Sequence, residues 1–365
     1  MRRLILPGVL LIGASASIYA LAFSQHGRDE KRVADAAQAA PAPEAHNFAS
    51  PFAEFPAESE AEKELEAMLA GPEDKIDLAL ANWLVIADLP PYKDLTRDQY
   101  FAMLDETTNR VRGMIEQARR NPLMAGDLND PARLAHVFCS AMIALGIDYV
   151  DEFKVYTEGP GDALPLYRDA DNVFIAGLLK TRKGSCVSMP MLYLVVGKRL
   201  GLPVHLVNVG QHTFIRWEQP GYRMNIETTI VKKVAMTPDE DNFLEVEHLT
   251  REELEGTNDL KNMSNRSVIA SLLHARCGWY MAHGPQYRRE FWRDLNRAHL
   301  IAPKDRIIAL NYQRATQSLE TNQREHVQLP VPRPNPMGRT QPWVPNPQPP
   351  ALNVPNPRPP SPFGY

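Results

Sequence analysis

Cys186 is the residue best placed in this sequence to act as a nucleophile. An apolar segment with helical character, Val187 to Leu200, follows it directly. If a helix starts here with Ser185 as its N-cap, free backbone N–H groups and the helix dipole would stabilise a thiolate. Arg182 and Lys183 add positive charge nearby. This environment favours a thiolate that attacks a carbonyl carbon.

Pro190 limits the regularity of this predicted helix at its first turn. It has no N–H and cannot donate the i→i−4 hydrogen bond to the carbonyl of Cys186, so we expect a loose first turn. The alternative interpretation of Cys186 is a small core residue at a helix start. The sequence around it leaves both interpretations open.

His212 is the candidate general base, and a predicted hairpin supplies an acid for it. His212 to Trp217 and Tyr222 to Thr228 alternate as strands around Glu-Gln-Pro-Gly. If Trp217 pairs with Tyr222, Glu227 lies directly across from His212 on one face of the hairpin. A carboxylate there would fix the imidazole tautomer and stabilise the imidazolium.

Asn225 is the second candidate for the third member of the triad, because it shares that face but lies diagonal to His212. A one-residue bulge in the turn would spoil this register. Taken alone, a facing His–Glu pair is typical of an exposed hairpin. A cysteine at a helix start in the same domain favours the catalytic interpretation.

The other cysteines and histidines are weaker candidates. Cys139 and Cys277 lie in predicted helices and are expected to be structural. His205 faces away from the apolar side of its strand and is expected to face solvent. His274 and His283 are nine residues apart, which is not a ligand spacing. The chain has no CxxC pair, P-loop, GxSxG or dinucleotide motif, so no metal or cofactor is predicted.

The elements that must position these residues divide the chain into six predicted segments. Residues 1–22 are predicted as a signal peptide or membrane anchor, because Arg2 and Arg3 precede a long apolar run. The other segments are a flexible Ala/Pro linker at 23–58, a helical region at 59–147, a mixed helix-and-strand core at 148–262, tetratricopeptide-like helices at 263–320 and a disordered proline-rich tail at 321–365.

Composition supports an ordinary folded core with a biased tail. The chain has 365 residues, a net charge of −4 and 44% hydrophobic residues, which suffices for a core and argues against a nucleic-acid binder. Its three cysteines do not form a disulfide framework. Fourteen of the 32 prolines lie between Pro330 and Pro362, so the proline excess belongs to the tail.

Four short segments resemble the bacterial branch of the transglutaminase-like superfamily. They are Lys180-Thr-Arg-Lys-Gly-Ser-Cys186, Gly201-Leu-Pro203, Gln211-His212-Thr-Phe-Ile-Arg216 and Asn225-Ile-Glu227. The resemblance covers roughly residues 60 to 320 and implies an α+β, papain-like core in which a helix packs on an antiparallel sheet. It also implies acyl chemistry at Cys186. The sequence departs from the superfamily's pattern at the third position of the triad, where it has Glu227 and the superfamily usually has Asp.

The sequence therefore predicts an exported thiol enzyme that is periplasmic or extracellular, or anchored to the inner membrane. Its Cys-His-Glu triad would act on a polypeptide or another amide by hydrolysis or acyl transfer. It would meet the membrane only through an uncleaved N-terminal segment, and the tail would bind a protein partner. One alternative is a catalytically inactive envelope binding or scaffold module with the same fold. Another is a structural protein whose tail reaches through the envelope.

Overall fold

The computed structural model describes residues 56–121, 126–150, 165–230, 233 and 235–327. The predicted leader, the predicted linker up to residue 55 and the tail from residue 328 lie outside the described residues. Contacts divide the chain into two units, Met1–Leu319 and Glu320–Tyr365. Within the described ranges, no helix combines the length and the apolar character needed to cross a membrane.

The N-terminal region is helical, as its apolar spacing indicates. Thr96 and Gln99 form the predicted capping box at the start of the third helix. Asp130 caps the fourth helix, and Pro131 occupies its first turn. The sequence predicts both features, because Thr96 with Gln99 fits a capping box and Asp130 before Pro131 fits a cap and first turn, and the structure confirms them. The helices are α1 (Glu60–Ala70), α2 (Leu78–Ile86), α3 (Arg97–Arg120) and α4 (Pro131–Ile143), with 3-10 turns at Glu73–Lys75 and Pro90–Tyr92.

Short elements lead from this region to Cys186. The sequence predicts one helix from Val173 to Lys180, but the structure divides it at Phe174, whose backbone is extended. Strands β1 and β2 pair in parallel, a contact between distant segments that the sequence does not predict. The elements are β1 (Asp148–Tyr149), α5 (Pro165–Arg168), α6 (Ala170–Val173), α7 (Ile175–Thr181), β2 (Lys183–Gly184) and α8 (Ser188–Arg199).

A four-stranded antiparallel sheet follows, with its strands in chain order. Helix α8 packs closely on β3. Gly197 allows this approach because a Cβ at its position would overlap the side chain of Val204. The fold is therefore α+β with a helix against an antiparallel sheet, as predicted. The strands are β3 (Val204–Val209), β4 (His212–Gln219), β5 (Tyr222–Glu227) and β6 (Ala235–Thr237).

The predicted register of the β4–β5 hairpin is wrong by two residues. Tyr222 pairs with Gln219 and not with Trp217, so only Pro220 and Gly221 remain in the turn. Gly221 has a φ of +78°, which favours glycine in this position of a tight turn, and proline presets the preceding φ. Side chains alternate with a period of two, so this shift keeps every residue on its predicted face.

Both faces of the sheet are covered. One face packs on the helices of the main core, and the other forms a smaller core with helix α9 (Asp241–Glu247) and the 3-10 turn Glu252–Leu254. The smaller core contains Val207, Val209, Phe214, Phe243, Leu244 and Leu254. Leu260 continues this layer along the edge of β3, where its amide donates to the carbonyl of Asn208 at 2.8 Å.

The remaining described helices are α10 (Asn265–His283), α11 (Arg288–Ile301) and α12 (Arg306–Val327), with a 3-10 turn at Pro285–Tyr287. Helix α12 continues past residue 321, where the sequence predicts the start of the disordered tail. Helix α10 packs on α11 and on α2. The segment predicted as tetratricopeptide-like helices is thus joined to the N-terminal helical region.

A buried ion-pair network fastens this junction. The Arg276 guanidinium binds the Asp294 carboxylate through two hydrogen bonds of 2.5 and 2.7 Å and donates to the carbonyl of Val85 at 2.7 Å. Arg293 pairs with Glu62 of α1 at 2.5 Å. Buried charges are tolerated only when they are paired and hydrogen-bonded, so these helices depend on one another.

We expect Asp294→Ala to destabilise the protein by about 3–5 kcal/mol, because the buried Arg276 loses the carboxylate that accepts two of its hydrogen bonds. The measurement is the free energy of unfolding from urea titration. The matched control is Asp94→Ala at an exposed position, which should change that free energy by less than about 0.5 kcal/mol. Similar values for the two variants would show that the buried pair is not required.

Candidate active site

Cys186 lies in the turn that leads into α8. The helix begins at Ser188, and its N-cap is Val187, which makes no side-chain cap bond. The helix thus starts later than predicted, but Ser185 makes the contacts of an N-cap. Its hydroxyl accepts a hydrogen bond from the Val187 amide at 3.1 Å, and its carbonyl accepts one from the Met189 amide at 3.0 Å. The late start agrees with the expected loose turn, because Pro190 has no N–H for the carbonyl of Cys186.

Buried hydrogen bonds hold this turn in place. The Ser185 amide donates to the Ser188 hydroxyl at 3.0 Å, and that hydroxyl donates to the carbonyl of Asn172 at 2.8 Å. A Cβ at Gly184 would overlap side chains of the two neighbouring helices. Cys186 itself is only half-buried. The turn is therefore fixed while its thiol remains partly accessible.

His212 and Glu227 form a close, nearly buried pair. The distance from His212 Nε2 to Glu227 Oε2 is 2.5 Å, and their side chains are 11% and 12% exposed. In the observed register Glu227 is diagonal to His212, not directly opposite. The pair forms because a shift of two residues leaves both side chains on one face.

Thr229 holds the second oxygen of this carboxylate. Its amide and its hydroxyl donate to Glu227 Oε1 at 2.8 and 2.7 Å. Burial acts to raise the pKa of Glu227, but the charge of His212 and these hydrogen bonds outweigh burial and lower it. The carboxylate is thus ionised and fixed, with one oxygen directed to the imidazole.

The Cys186 side chain lies close enough to the same imidazole to act on its charge state. Since Nε2 contacts Glu227 at 2.5 Å, Nδ1 is the ring nitrogen with which a thiol could form a hydrogen bond. Burial acts to lower the pKa of His212, but the Glu227 charge and the hydrogen bonds with Cys186 and Glu227 raise it well above its usual value. The structure thus brings Cys186, His212 and Glu227 together around a ring that favours the charged form.

Asn225 is not brought into this group. Its side-chain oxygen accepts a hydrogen bond from Arg216 Nε at 2.8 Å, and both side chains are buried. Arg216 also pairs with Glu240 at 2.8 Å. The second candidate for the third position is therefore engaged in a separate polar cluster.

The weaker candidates lie in structural environments. Burial raises the pKa of Cys139 to about 12 and that of Cys277 well above its usual value. His205 is half-buried and not fully solvent-facing, because the second face of the sheet is covered too. Burial lowers the pKa of His274 to about 4. Within the described residues, no group of three or more His, Cys, Asp or Glu side chains could hold a metal ion.

Two contacts of the site were missed from the sequence. Thr229 could have been found, because it continues the alternation of Asn225 and Glu227 by one more step. Phe243 of α9 stacks on Phe214 with ring centroids 4.1 Å apart, and its ring centroid is 6.3 Å from that of His212. Nothing in the local pattern places this helix over the imidazole.

Comparison with known proteins agrees with this geometry. Residues 161–274 match the family model described as Transglutaminase-like superfamily. The chain thus carries a transglutaminase-like domain, which contains Cys186, His212 and Glu227, and the predicted resemblance is confirmed there.

Among curated proteins, this chain is similar to proteins named F-box only protein 21. The human protein and the Pongo abelii protein are each 24% identical over 214 residues, and the Mus musculus protein is 25% identical over 217 residues. These matches span 56% of this chain but only 33–34% of the relatives. No solved structure gave a significant match.

The Glu227–His212 pair should give a defined pH dependence of stability, measured in a Cys186→Ala background to remove the thiol. The lowered pKa of Glu227 adds stability above its unfolded value, and this stability is lost as pH falls through the folded value. The raised pKa of His212 adds stability below its unfolded value, and this is lost as pH rises through the folded value.

Glu227→Gln should therefore lower the free energy of unfolding most, by about 1–3 kcal/mol, between roughly pH 5 and 6.5. The decrease should be smaller at lower and at higher pH. The measurement is the free energy of unfolding across that range. Glu60→Gln, a change at an exposed position, is the control and should show no such maximum. A cost for Glu227→Gln that does not vary with pH would contradict a charged pair.

Proposed function

We propose that this protein is an exported thiol enzyme that cleaves or transfers amide-linked acyl groups through Cys186, His212 and Glu227. The observation that supports this most strongly is the shared imidazole. One of its nitrogens binds a fixed carboxylate at 2.5 Å, and the Cys186 thiol lies close enough to the ring to act on its charge state. This is the arrangement that a thiol nucleophile and its base require.

The proposed reaction proceeds through an acyl-enzyme. The Cys186 thiolate attacks the amide carbonyl carbon, and the backbone N–H of Cys186 contributes to stabilising the oxyanion. When the C–N bond breaks, the His212 imidazolium gives its proton to the leaving amine. His212 then takes a proton from water or from a second amine, which attacks the thioester and releases Cys186. Water gives hydrolysis and an amine gives cross-linking.

The environments of the three cysteines also support this assignment. Cys139 and Cys277 are buried, and burial raises the pKa of both thiols. Cys186 is half-buried and lies beside an imidazole. Glu227 can replace the usual Asp because it reaches the ring across the diagonal of the hairpin while Thr229 holds its other oxygen.

The substrate class and the location of the protein are also proposals. A polypeptide or another amide is the substrate that acyl chemistry at Cys186 implies. Export rests on the charged and apolar start of the chain, and a tail partner rests on the proline content of residues 321–365. A catalytically inactive envelope scaffold with the same fold is the competing function, and it requires no reactive thiol.

The proposed enzyme should be alkylated selectively at Cys186 by iodoacetamide well below pH 8, because the imidazolium stabilises the thiolate. The measurement is the alkylation rate against pH, with the modified residue located by peptide mass spectrometry. His212→Ala should move the profile to that of an ordinary thiol, near about pH 8.5. His205→Ala, a histidine on the neighbouring strand, is the matched control.

Ordinary thiol behaviour at Cys186, with the same profile in His212→Ala, would favour the scaffold. An amide-directed activity probe then tests the chemistry itself. It should trap an acyl-enzyme from cell-envelope extracts with the wild-type protein and not with Cys186→Ala. Equal labelling of both proteins would contradict acyl transfer through Cys186.

Export predicts that the mature protein is found outside the cytoplasm and, if the leader is cut after Ala22, begins at Phe23. The measurement is cell fractionation followed by the intact mass of the purified protein. A membrane-bound protein with its leader retained would indicate the anchored form. Full-length protein in the cytoplasmic fraction would contradict export.

A further inference from the structure

The turn that leads into His212 is bound by two carboxylates from outside the hairpin. The Gln211 amide donates to Glu247 Oε2 at 2.8 Å, and the Gly210 amide donates to Asp259 Oδ1 at 2.8 Å. Asp259 is 6% exposed. Both donors of this two-residue turn are thus satisfied by acids that the proposed triad does not use.

Glu247 approaches this turn closely. Gly210 has a φ of +57°, and a Cβ at this position would overlap Glu247 Oε2. Only glycine therefore allows the carboxylate to lie against the backbone here. The contact joins the end of α9 directly to the residues that precede His212.

Helix α9 is anchored over the imidazole at its other end as well. Phe243 stacks on Phe214, with its ring nearly parallel to that of His212, and belongs to the smaller core. Glu247 is the last residue of this helix. One packed helix therefore covers the His212 ring and carries a carboxylate to the turn before it.

We propose that Glu247 is a positioning residue for His212. Its carboxylate holds the turn that begins β4, and its negative charge adds to that of Glu227 in stabilising the imidazolium. This inference rests on the proposed function, because it assigns a role to Glu247 in the same thiol–imidazole site. The chemistry at the reacting atoms remains that of Cys186 and His212.

The charged groups around both residues define the electrostatic expectation. His212 is faced by Glu227 on β5 and by Cys186 before α8. The charges that act on Glu247 are those of His212, of Arg306 on α12 and of Asp259. Burial outweighs the other influences and raises the pKa of Glu247, although the Gln211 amide and the charges of His212 and Arg306 act to lower it. An imidazolium and an ionised Glu247 thus stabilise each other.

Three variants separate charge from hydrogen bonding in the full-length protein. Glu247→Gln keeps an acceptor for the Gln211 amide but removes the charge. Glu247→Asp keeps the charge but shortens the side chain, so the bond to the turn is lost. Glu245→Gln removes the same charge from an exposed position of the same helix and is the matched control.

The measurements are the pKa of His212 by NMR titration and hydrogen exchange of the Gln211 amide. Glu247→Gln should lower the His212 pKa by roughly 0.5–1 unit and leave the amide protected. Glu247→Asp should lower the His212 pKa less than Glu247→Gln does. It should also speed hydrogen exchange of the Gln211 amide at least about tenfold. Glu245→Gln should change neither quantity.

A His212 pKa in Glu247→Gln equal to that in Glu245→Gln would overturn the electrostatic role. Unchanged exchange of the Gln211 amide in Glu247→Asp would overturn the role in holding the turn. If wild-type Cys186 reacts as an ordinary thiol, the proposed enzyme fails. The His212 titration and the exchange measurement still decide the role of Glu247, because neither depends on substrate turnover.

Discussion

A single imidazole shared between a carboxylate and a thiol is the interaction on which the rest of this site depends. Three separate elements supply the three groups: β4 carries His212, β5 carries Glu227, and the turn before α8 carries Cys186. The antiparallel hairpin sets the distance between the ring and the acid, and packing of α8 against β3 brings the thiol to the same place. The helices on either side stabilise this arrangement and contribute none of the three groups.

Burying a charged pair costs solvation, and this structure offsets that cost with hydrogen bonds. Glu227 receives two bonds from Thr229 and one contact from the ring, so both carboxylate oxygens are occupied. A second acid, the half-buried Glu247, accepts a hydrogen bond from the backbone amide of Gln211, directly before His212. The site thus places negative charge around an imidazole, which is the environment that keeps imidazolium and thiolate together.

Much of this could be predicted from local sequence, because strand alternation and helix caps depend on neighbouring residues. The strand alternation predicts His212 and Glu227 on one face even though the predicted register is wrong by two residues, since the face depends only on odd or even spacing. The contacts that were missed join distant segments. Glu247 contacts Gln211, which lies 36 residues away in sequence, and Arg276 of α10 pairs with Asp294 of α11. No local periodicity encodes such pairs.

The charge state of His212 tests the central claim most directly. Nitrogen-15 NMR of the selectively labelled histidine distinguishes an imidazolium, in which both ring nitrogens carry protons, from a neutral tautomer. In the wild-type protein at about pH 7.5, where a free histidine is mostly neutral, we expect the imidazolium form. A neutral ring at that pH would contradict an imidazole held charged between Glu227 and Cys186.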